Sequence, residues 1–275
     1  MAKVTMEEIT RLRKMMGAGM MDCKNALTEA EGDFDKAVEI IRKRGQAVAA
    51  KRSDREASEG CVLAKHIDGF AAMIALKCET DFVAKNADFI ALTQQILDMA
   101  IANKAADLEA VKALAIDGRT IGEAVVDRSG ITGEKMELDG FGFVEGATVS
   151  SYIHPGNKLA TIVAFNQEGV DKQVARDVAM QIAAMNPISI DRANVPADVL
   201  EKEKTIAADK ARQEGKPENM IDRIAEGRIG KFYKEVCLME QEYVKDAKLT
   251  IGQYLENTNK GLTVVDFKRY TLNME

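Results

Sequence analysis

The stretch CVLAKHIDGFAAMIALKC, residues 61–78, decides the fold of this chain. Two apolar runs flank Asp68 and Gly69, and this dipeptide supplies the positive φ values that a two-residue hairpin turn requires. The following residues, ETDFVAKN at 79–86, lead into a helical pattern whose apolar positions are Phe89, Thr93, Ile96, Leu97 and Ala100. The sequence therefore predicts a β-hairpin followed by a corner and an amphipathic helix.

The corner itself contains a large aromatic residue, Phe82, directly after Asp81. Corners between elements lie at the surface, where a Phe needs a partner. Two interpretations stay open at this point: Phe82 plugs the core of its own subdomain, or it faces another molecule.

The same pattern recurs later in the chain. Residues 147–154, ATVSSYIH, precede a PGN turn, KLATIVAFN returns, and a helix follows whose apolar positions are Val174, Val178, Ile182 and Met185. An internal duplication that yields two related α+β subdomains explains this repetition. His66 and His154 each end the first strand of one hairpin, so one histidine per copy is a simpler interpretation than a metal-binding pair.

The N-terminal segment predicts a compact module of three short helices. Thr5 and Glu8 form a capping-box pattern, the GAG turn at 17–19 separates two helices, and Asp33 caps the third. We assign residues 1–45 to this module and residues 46–59, where the periodicity is lost, to a linker whose first half could be helical.

The remaining domain boundaries follow from a change in composition after Asn186-Pro187, where the sequence becomes highly charged. Two highly charged helical stretches meet at Gly215-Lys216-Pro217 and predict a projecting helical hairpin, or short coiled coil, at 191–228. Core subdomain 1 is then 60–145, and subdomain 2 with the C-terminal segment is 146–190 and 229–275. The hairpin could be a lever, a partner contact, a dimerisation arm or a solvated excursion.

Composition limits the classes of function. A net charge of −6 argues against a general nucleic-acid partner, and we interpret the basic run from Arg42 to Arg52 as a solvated helix end and linker. The four cysteines show neither a CxxC motif nor histidines in ligand spacing, which is typical of reduced, buried thiols in a cytosolic protein. With neither a signal peptide nor a long apolar window, we expect a cytoplasmic protein without a membrane partner.

Motifs of covalent catalysis are missing from the sequence. It contains no GxSxG, HExxH, P-loop or GxGxxG pattern. Glu79 and Asp81 lie beside Cys78 and disfavour its thiolate by like charge, which is the wrong direction for a nucleophile. We therefore expect a binding protein that is not an enzyme and needs no cofactor or metal.

Six stretches carry a resemblance to a known family. They are GAGMMDCKNAL (17–27), EGDFDKAVEIIRKRG (31–45), CETDFVAKN (78–86), MQIAAMNP (180–187), GKFYKEVCLMEQEYVKD (230–246) and TIGQYL (250–255). With these motifs the chain closely resembles the bacterial elongation factor Ts family, the guanine-nucleotide exchange factors of elongation factor Tu. The resemblance extends over nearly the whole chain and implies that the N-terminal module is of the ubiquitin-associated type.

The resemblance also implies a set of partner-binding residues. Thr80, Asp81, Phe82 and Val83 match the family segment that wedges into elongation factor Tu and disturbs its Mg²⁺ site. Secondary contacts would come from two further regions, namely Met20, Met21 and Lys24 in the N-terminal module and His154, Tyr243 and Val244 in the second subdomain. Met20 and Met21 could equally be core residues.

Three functions are weighed from the sequence. The first is exchange on GDP-bound and nucleotide-free elongation factor Tu, which the resemblance implies. The second is a helical adaptor that uses the N-terminal module, and the third is an enzyme that uses His66 and His154. The first interpretation accounts for most of the chain.

Overall fold

A computed structural model describes residues 4–273, and the outermost residues of the predicted ranges 1–45 and 229–275 lie outside that part. The fold mixes helices and strands in the α+β manner, as predicted. The helices are α1 (Met6–Met16), α2 (Met20–Glu29), α3 (Phe34–Lys51), α4 (Asp81–Ala84), α5 (Ala87–Ala102), α6 (Leu108–Ala113), α7 (Ile121–Thr132), α8 (Lys172–Met185), α9 (Ala197–Gln213), α10 (Glu218–Val236) and α11 (Ile251–Thr258). The strands are β1 (Glu59–Ile67), β2 (Phe70–Cys78), β3 (Ala115–Ile116), β4 (Arg119–Thr120), β5 (Met136–Glu145), β6 (Thr148–Ile153), β7 (Leu159–Phe165), β8 (Glu242–Tyr243), β9 (Asp246–Thr250) and β10 (Val264–Thr271).

The chain divides into two compact units. One contains the described residues up to Leu63 with the range Ile74–Gly142, and the other contains Ala64–Met73 with Phe143–Thr271. The first unit holds α1–α7 and the second holds α8–α11. These units do not coincide with the domains predicted above, since Ala64–Met73 lies inside predicted subdomain 1 but belongs to the second unit.

Helices α1, α2 and α3 form the predicted three-helix module around their own core. Thr5 and Glu8 complete the capping box, Gly17 ends α1 in the left-handed region at φ +68°, and the Asp33 side chain caps α3. The core of the module contains Leu12, Cys23, Leu27 and Ala37, among others. Helical spacing alone selects these positions, which explains why the module is visible in the sequence.

Helix α3 continues past the predicted module boundary, through Gly45 to Lys51, so the first half of the predicted linker is helical. A Gly weakens a helix interior and therefore looks like an end signal. Here it serves close packing instead: Gly45 is buried, and a Cβ added at Gly130 of α7 would lie 2.1 Å from the Gly45 Cα. The irregular linker is thus shorter than 46–59.

The first three-stranded sheet has the order β1-β2-β5. The predicted turn joins β1 to β2 at Asp68-Gly69, where Gly69 has φ +71°. The apolar face of α5 is buried as predicted, and its buried residues include Phe89, Ile96 and Leu97. Between α5 and the second sheet lie two helices, α6 and α7, the short β3–β4 hairpin between them, and strand β5.

The second three-stranded sheet has the order β10-β7-β6, and both pairings are antiparallel. The central strand β7 is buried along its whole length, which suits the continuous apolar sequence LATIVAF. The C-terminal segment supplies the edge strand β10, which pairs with β7.

Helices α9 and α10 form the predicted helical hairpin. Ala207 and Ala211 of α9 and Ile221 and Ala225 of α10 are buried, whereas the outer positions are charged. Helix α10 continues to Val236, so it extends past residue 228, where the predicted boundary of the hairpin lies. The apolar face of α10 continues beyond residue 228, where Ile229 is buried.

The close approach of α3 and α7 generates a prediction about stability. The substitution Gly130→Ala should destabilise the fold by about 1–3 kcal/mol, since the new Cβ overpacks a backbone contact. Urea unfolding measures this change. Gly227→Ala in α10 is the matched control: its Cβ meets open space, and Ala should stabilise that helix by up to about 1 kcal/mol. An equal gain at both positions would contradict the packing.

Candidate functional site

The candidate site begins with a one-turn helix, α4, between β2 and α5. Thr80 is its N-cap, and the Val83 N–H donates to Thr80 Oγ1 at 3.4 Å. Asn86 then caps α5 by accepting from the Asp88 N–H at 2.9 Å. Because two side-chain caps lie six positions apart, the chain turns sharply between them.

The carboxylate of Glu134 holds this corner from a distant part of the chain. Its Oε2 accepts from the N–H groups of Glu79 (3.2 Å) and Thr80 (3.0 Å). Its Oε1 accepts from Thr80 Oγ1 at 2.6 Å. Hydrogen bonds to a charged acceptor are stronger than neutral ones, so the backbone at the start of α4 is firmly positioned.

Glu79 forms a second clamp beside the first. Arg52 Nη1 donates to both carboxylate oxygens of Glu79 at 2.9 Å, and the Lys135 N–H donates to Glu79 Oε1 at 2.6 Å. Chiefly because of the Lys135 hydrogen bond, and against the opposing effect of burial, the pKa of Glu79 is lowered. Arg52 was interpreted above as a solvated residue, and the structure corrects this.

Phe82 projects from the held corner into solvent with 85% of its surface exposed. The interpretation of Phe82 as a plug of its own subdomain is therefore wrong. Ala84 and Phe89 are buried in its place. Removing water from a Phe side chain yields about 1.5–3 kcal/mol, which this fold does not use at Phe82.

Asp81 and Val83 flank Phe82 in different ways. The Lys85 ammonium donates to Asp81 Oδ2 at 2.6 Å across one helical turn, and the two side chains are 76% and 46% exposed. Val83 is half-buried. A solvated ion pair between neighbouring turns of a helix contributes little to stability.

Cys78 closes the strand before the corner and is chemically quiet. Burial first, and then the Glu134 carboxylate, raise the pKa of the Cys78 thiol to about 12. The expected direction is thus confirmed, but the cause is burial and Glu134 rather than Glu79 and Asp81. All four cysteines are buried and free of disulfides, as predicted.

The secondary residues of the N-terminal module lie at the start of α2. Met20 and Met21 are 44% and 62% exposed, and Lys24 on the next turn is also exposed. The alternative that the two methionines belong to the core is therefore wrong. The buried residues of this helix are Cys23, Ala26 and Leu27.

The secondary residues of the second unit behave less uniformly. His154 is exposed and its Nδ1 lies 3.0 Å from the Tyr152 hydroxyl, whereas His66 Nδ1 lies 2.9 Å from Ser151 Oγ. Val244 is 51% exposed, but its neighbour Tyr243 is only 6% exposed. A direct contact with a partner must lie on the surface, and Tyr243 does not.

Residues 4–273 lack the features of two other kinds of site. Among these residues there is no group of three or more His, Cys, Asp or Glu side chains that could hold a metal ion. None of the helices described is long and apolar enough to cross a membrane. What the corner offers is a rigid, exposed aromatic beside a carboxylate, which is an arrangement for binding.

Sequence reasoning located this corner but missed Glu134 and misassigned Arg52. Glu134 lies 54 positions from Thr80, and no local pattern marks it as a clamp. Arg52 belongs to a basic run that resembles any solvated helix end. Only the tertiary structure brings these side chains to the corner.

Comparisons with known proteins agree with one another. The model of the family "Elongation factor TS" matches residues 79–274. Proteins named "Elongation factor Ts" from Porphyromonas gingivalis and Azobacteroides pseudotrichonymphae are 61% and 55% identical over 273 and 272 residues. A protein of the same name from Phocaeicola vulgatus is 53% identical over 329 residues, and each alignment covers 99% of both chains.

The Glu79 clamp generates a prediction about pH. Since its pKa is lowered by folding, the ionised carboxylate stabilises the fold above the unfolded-state pKa of about 4.3. This contribution is lost as the pH falls through the folded-state pKa. The stability difference between wild type and Glu79→Gln should therefore be largest near neutral pH and shrink in acid, as measured by urea unfolding.

The control for this prediction is Glu109→Gln, because the Glu109 side chain is 80% exposed and its ion pair is with Lys112, three residues away. It should change stability little at any pH. A difference for Glu79→Gln that stays constant from neutral to acid pH would contradict the proposed role of its charge.

Proposed function

The chain belongs to the elongation factor Ts family, and from this premise we propose that it binds elongation factor Tu and accelerates the release of GDP. GTP then reloads the vacated site. The observation that carries this proposal is the exposure of Phe82 on a corner that Glu134 and Arg52 hold in place. No covalent chemistry is involved, so the protein is an exchange factor without a cofactor of its own.

Thermodynamic linkage sets what the exchange factor must supply. A nucleotide bound with nanomolar affinity represents about 12 kcal/mol, so a single side chain cannot offset it. By thermodynamic reciprocity, the exchange protein lowers the affinity of elongation factor Tu for the nucleotide by the same ratio as the nucleotide lowers its affinity for the exchange protein. Several dispersed contacts are therefore required, of which Phe82 is one anchor.

In this proposal the segment from Thr80 to Val83 is the primary contact. Phe82 inserts between helices of the nucleotide-binding domain and gains the burial that it lacks in the free protein. Asp81 leaves Lys85 and approaches the part of elongation factor Tu that positions Mg²⁺. Its added negative charge there disturbs the contacts of the metal ion and the phosphates. Thr80 and Val83 hold the turn that presents both side chains.

The secondary contacts extend the same interface. Met20, Met21 and Lys24 are exposed at one helix start, where flexible methionine side chains suit a protein partner. His154 and Val244 are exposed in the second unit. Tyr243 acts from inside, by supporting Val244.

The finer architecture belongs to the same proposal. We assign α1–α3 to a ubiquitin-associated-type module and interpret the two sheets, each with a hairpin and a helix, as a duplication. The α9–α10 hairpin serves as a partner contact or a dimerisation arm. The site of action is the cytoplasm, without direct nucleic-acid or membrane binding.

The test is the release of fluorescent GDP from purified elongation factor Tu. The wild-type protein should accelerate it saturably, and Phe82→Ala should slow the catalysed rate by more than about tenfold, because an interface anchor of roughly 2 kcal/mol or more is lost. The melting temperature should hardly change, since Phe82 has little contact with its own fold.

Met6→Ala is the matched control, since Met6 is exposed on the same unit and is assigned no contact. It should leave exchange unchanged. Absence of any acceleration by micromolar wild-type protein would exclude the proposed function. A large fall in melting temperature for Phe82→Ala would exclude Phe82 as an anchor.

A further inference from the structure

The second unit contains a buried carboxylate, Asp177, to which the proposed function assigns no role. Asp177 lies on α8 with 6% of its side chain exposed, and it accepts four hydrogen bonds. The donors are Lys245 Nζ at 2.6 Å, the Tyr243 hydroxyl at 2.7 Å, Gln173 Nε2 at 2.7 Å and the Tyr254 hydroxyl at 3.2 Å. Burial alone would raise the pKa of Asp177, but these donors outweigh it and the pKa is lowered.

One turn further along α8, Gln181 holds the backbone of the same segment. Its Oε1 accepts from the Val244 N–H at 3.0 Å, and its Nε2 donates to the Glu242 carbonyl at 3.0 Å. Gln181 is fully buried. The peptide groups on both sides of Tyr243 are thus bound by a single side chain.

Val244 occupies the outward position between two residues that are held from inside. Tyr243 stacks on Tyr254 with ring centroids 4.3 Å apart, and Lys245 reaches back to Asp177. The side chain of Val244 between them is 51% exposed. The segment therefore cannot rotate Val244 inward without breaking hydrogen bonds on both sides.

A buried carboxylate is a costly way to obtain stability alone. Well-packed apolar residues of similar volume often stabilise a fold as well as a buried ion pair or better. What charged and amide groups add is a single permitted arrangement, because every alternative leaves a buried polar group unpaired. This feature suits a surface whose geometry must be fixed before a partner arrives.

We propose that Asp177 and Gln181 are positioning residues that fix the segment Glu242–Lys245 so that Val244 is presented to elongation factor Tu. The assignment rests on the proposed function, in which Val244 is a partner contact. Neither residue touches the partner. Both act by removing the conformational cost of ordering the segment on binding.

The first test concerns the free protein. Asp177→Asn removes the negative charge that holds the Lys245 ammonium and replaces one of the two accepting oxygens by a donor. The segment should therefore loosen, and the Val244 amide should exchange with deuterium at least about tenfold faster. Gln181→Met keeps the length of the side chain and removes its hydrogen bonds, so it should also accelerate deuterium exchange of the Val244 amide. If Asp177→Asn does not fold, Gln181→Met alone tests the positioning role.

Thr161→Val is the matched control. Thr161 is fully buried in β7, and its hydroxyl donates to the Ala179 carbonyl of the same helix α8 at 2.8 Å rather than to the segment. It should destabilise α8 without accelerating exchange at Val244. Equal acceleration in the control, or none in the two variants, would overturn the positioning role.

The second test measures GDP release as a function of exchange-factor concentration. For Asp177→Asn or Gln181→Met the concentration giving half the maximal rate should rise by about fivefold or more, with the maximal rate within about twofold of wild type, because Phe82 and its corner are intact. Thr161→Val should change neither value.

The outcomes separate the two proposals. An unchanged half-saturation in variants whose Val244 amide exchanges faster would overturn the presentation of Val244 while leaving the exchange function standing. If the wild-type protein does not accelerate GDP release at all, both the exchange function and the presentation of Val244 to elongation factor Tu are excluded.

Discussion

The hydrogen bonds from the backbone of Glu79 and Thr80 to the Glu134 carboxylate are the interaction on which the candidate site depends. A helix of one turn cannot hold its own direction, because nucleating a turn costs more than its few hydrogen bonds return. Glu134 removes this difficulty by fixing the residues immediately before α4. With Arg52 and the Lys135 N–H bound to Glu79, the strand, the corner and the end of α7 become one rigid support. Phe82 can then stay in solvent without a local partner.

This arrangement separates stability from recognition. The buried residues Ala84 and Phe89 pack the fold beside the corner, whereas Phe82 leaves its apolar surface available. A rigid exposed aromatic loses little conformational freedom when it is buried by a partner, so more of its burial energy appears as affinity. In the proposed exchange reaction this matters, because affinity for the nucleotide-free partner is what opposes rebinding of GDP.

Local features of both sheets and most helices could be predicted because a single short pattern determines each. The Asp68-Gly69 turn, the caps at Thr5 and Asp33 and the helical spacing around Ile96 all act within a few residues. The failures have a different origin. Gly45 looks like a helix end but packs against Gly130, and Tyr243 looks like a surface residue but binds Asp177, 66 positions earlier in the chain. Such contacts depend on two distant segments meeting, which no local pattern contains. The position of the candidate site was thus predictable, but the clamp that supports it was not.

The most direct test of the account is hydroxyl-radical footprinting of Phe82 in the free protein and in its complex with nucleotide-free elongation factor Tu. Oxidation of Phe82 should be rapid in the free protein, strongly suppressed in the complex, and restored when excess GDP dissociates the complex. The buried Phe89 serves as an internal reference that should stay protected throughout. If Phe82 is oxidised equally fast in the free protein and in a demonstrated complex, the corner is not the contact, and the central claim is contradicted.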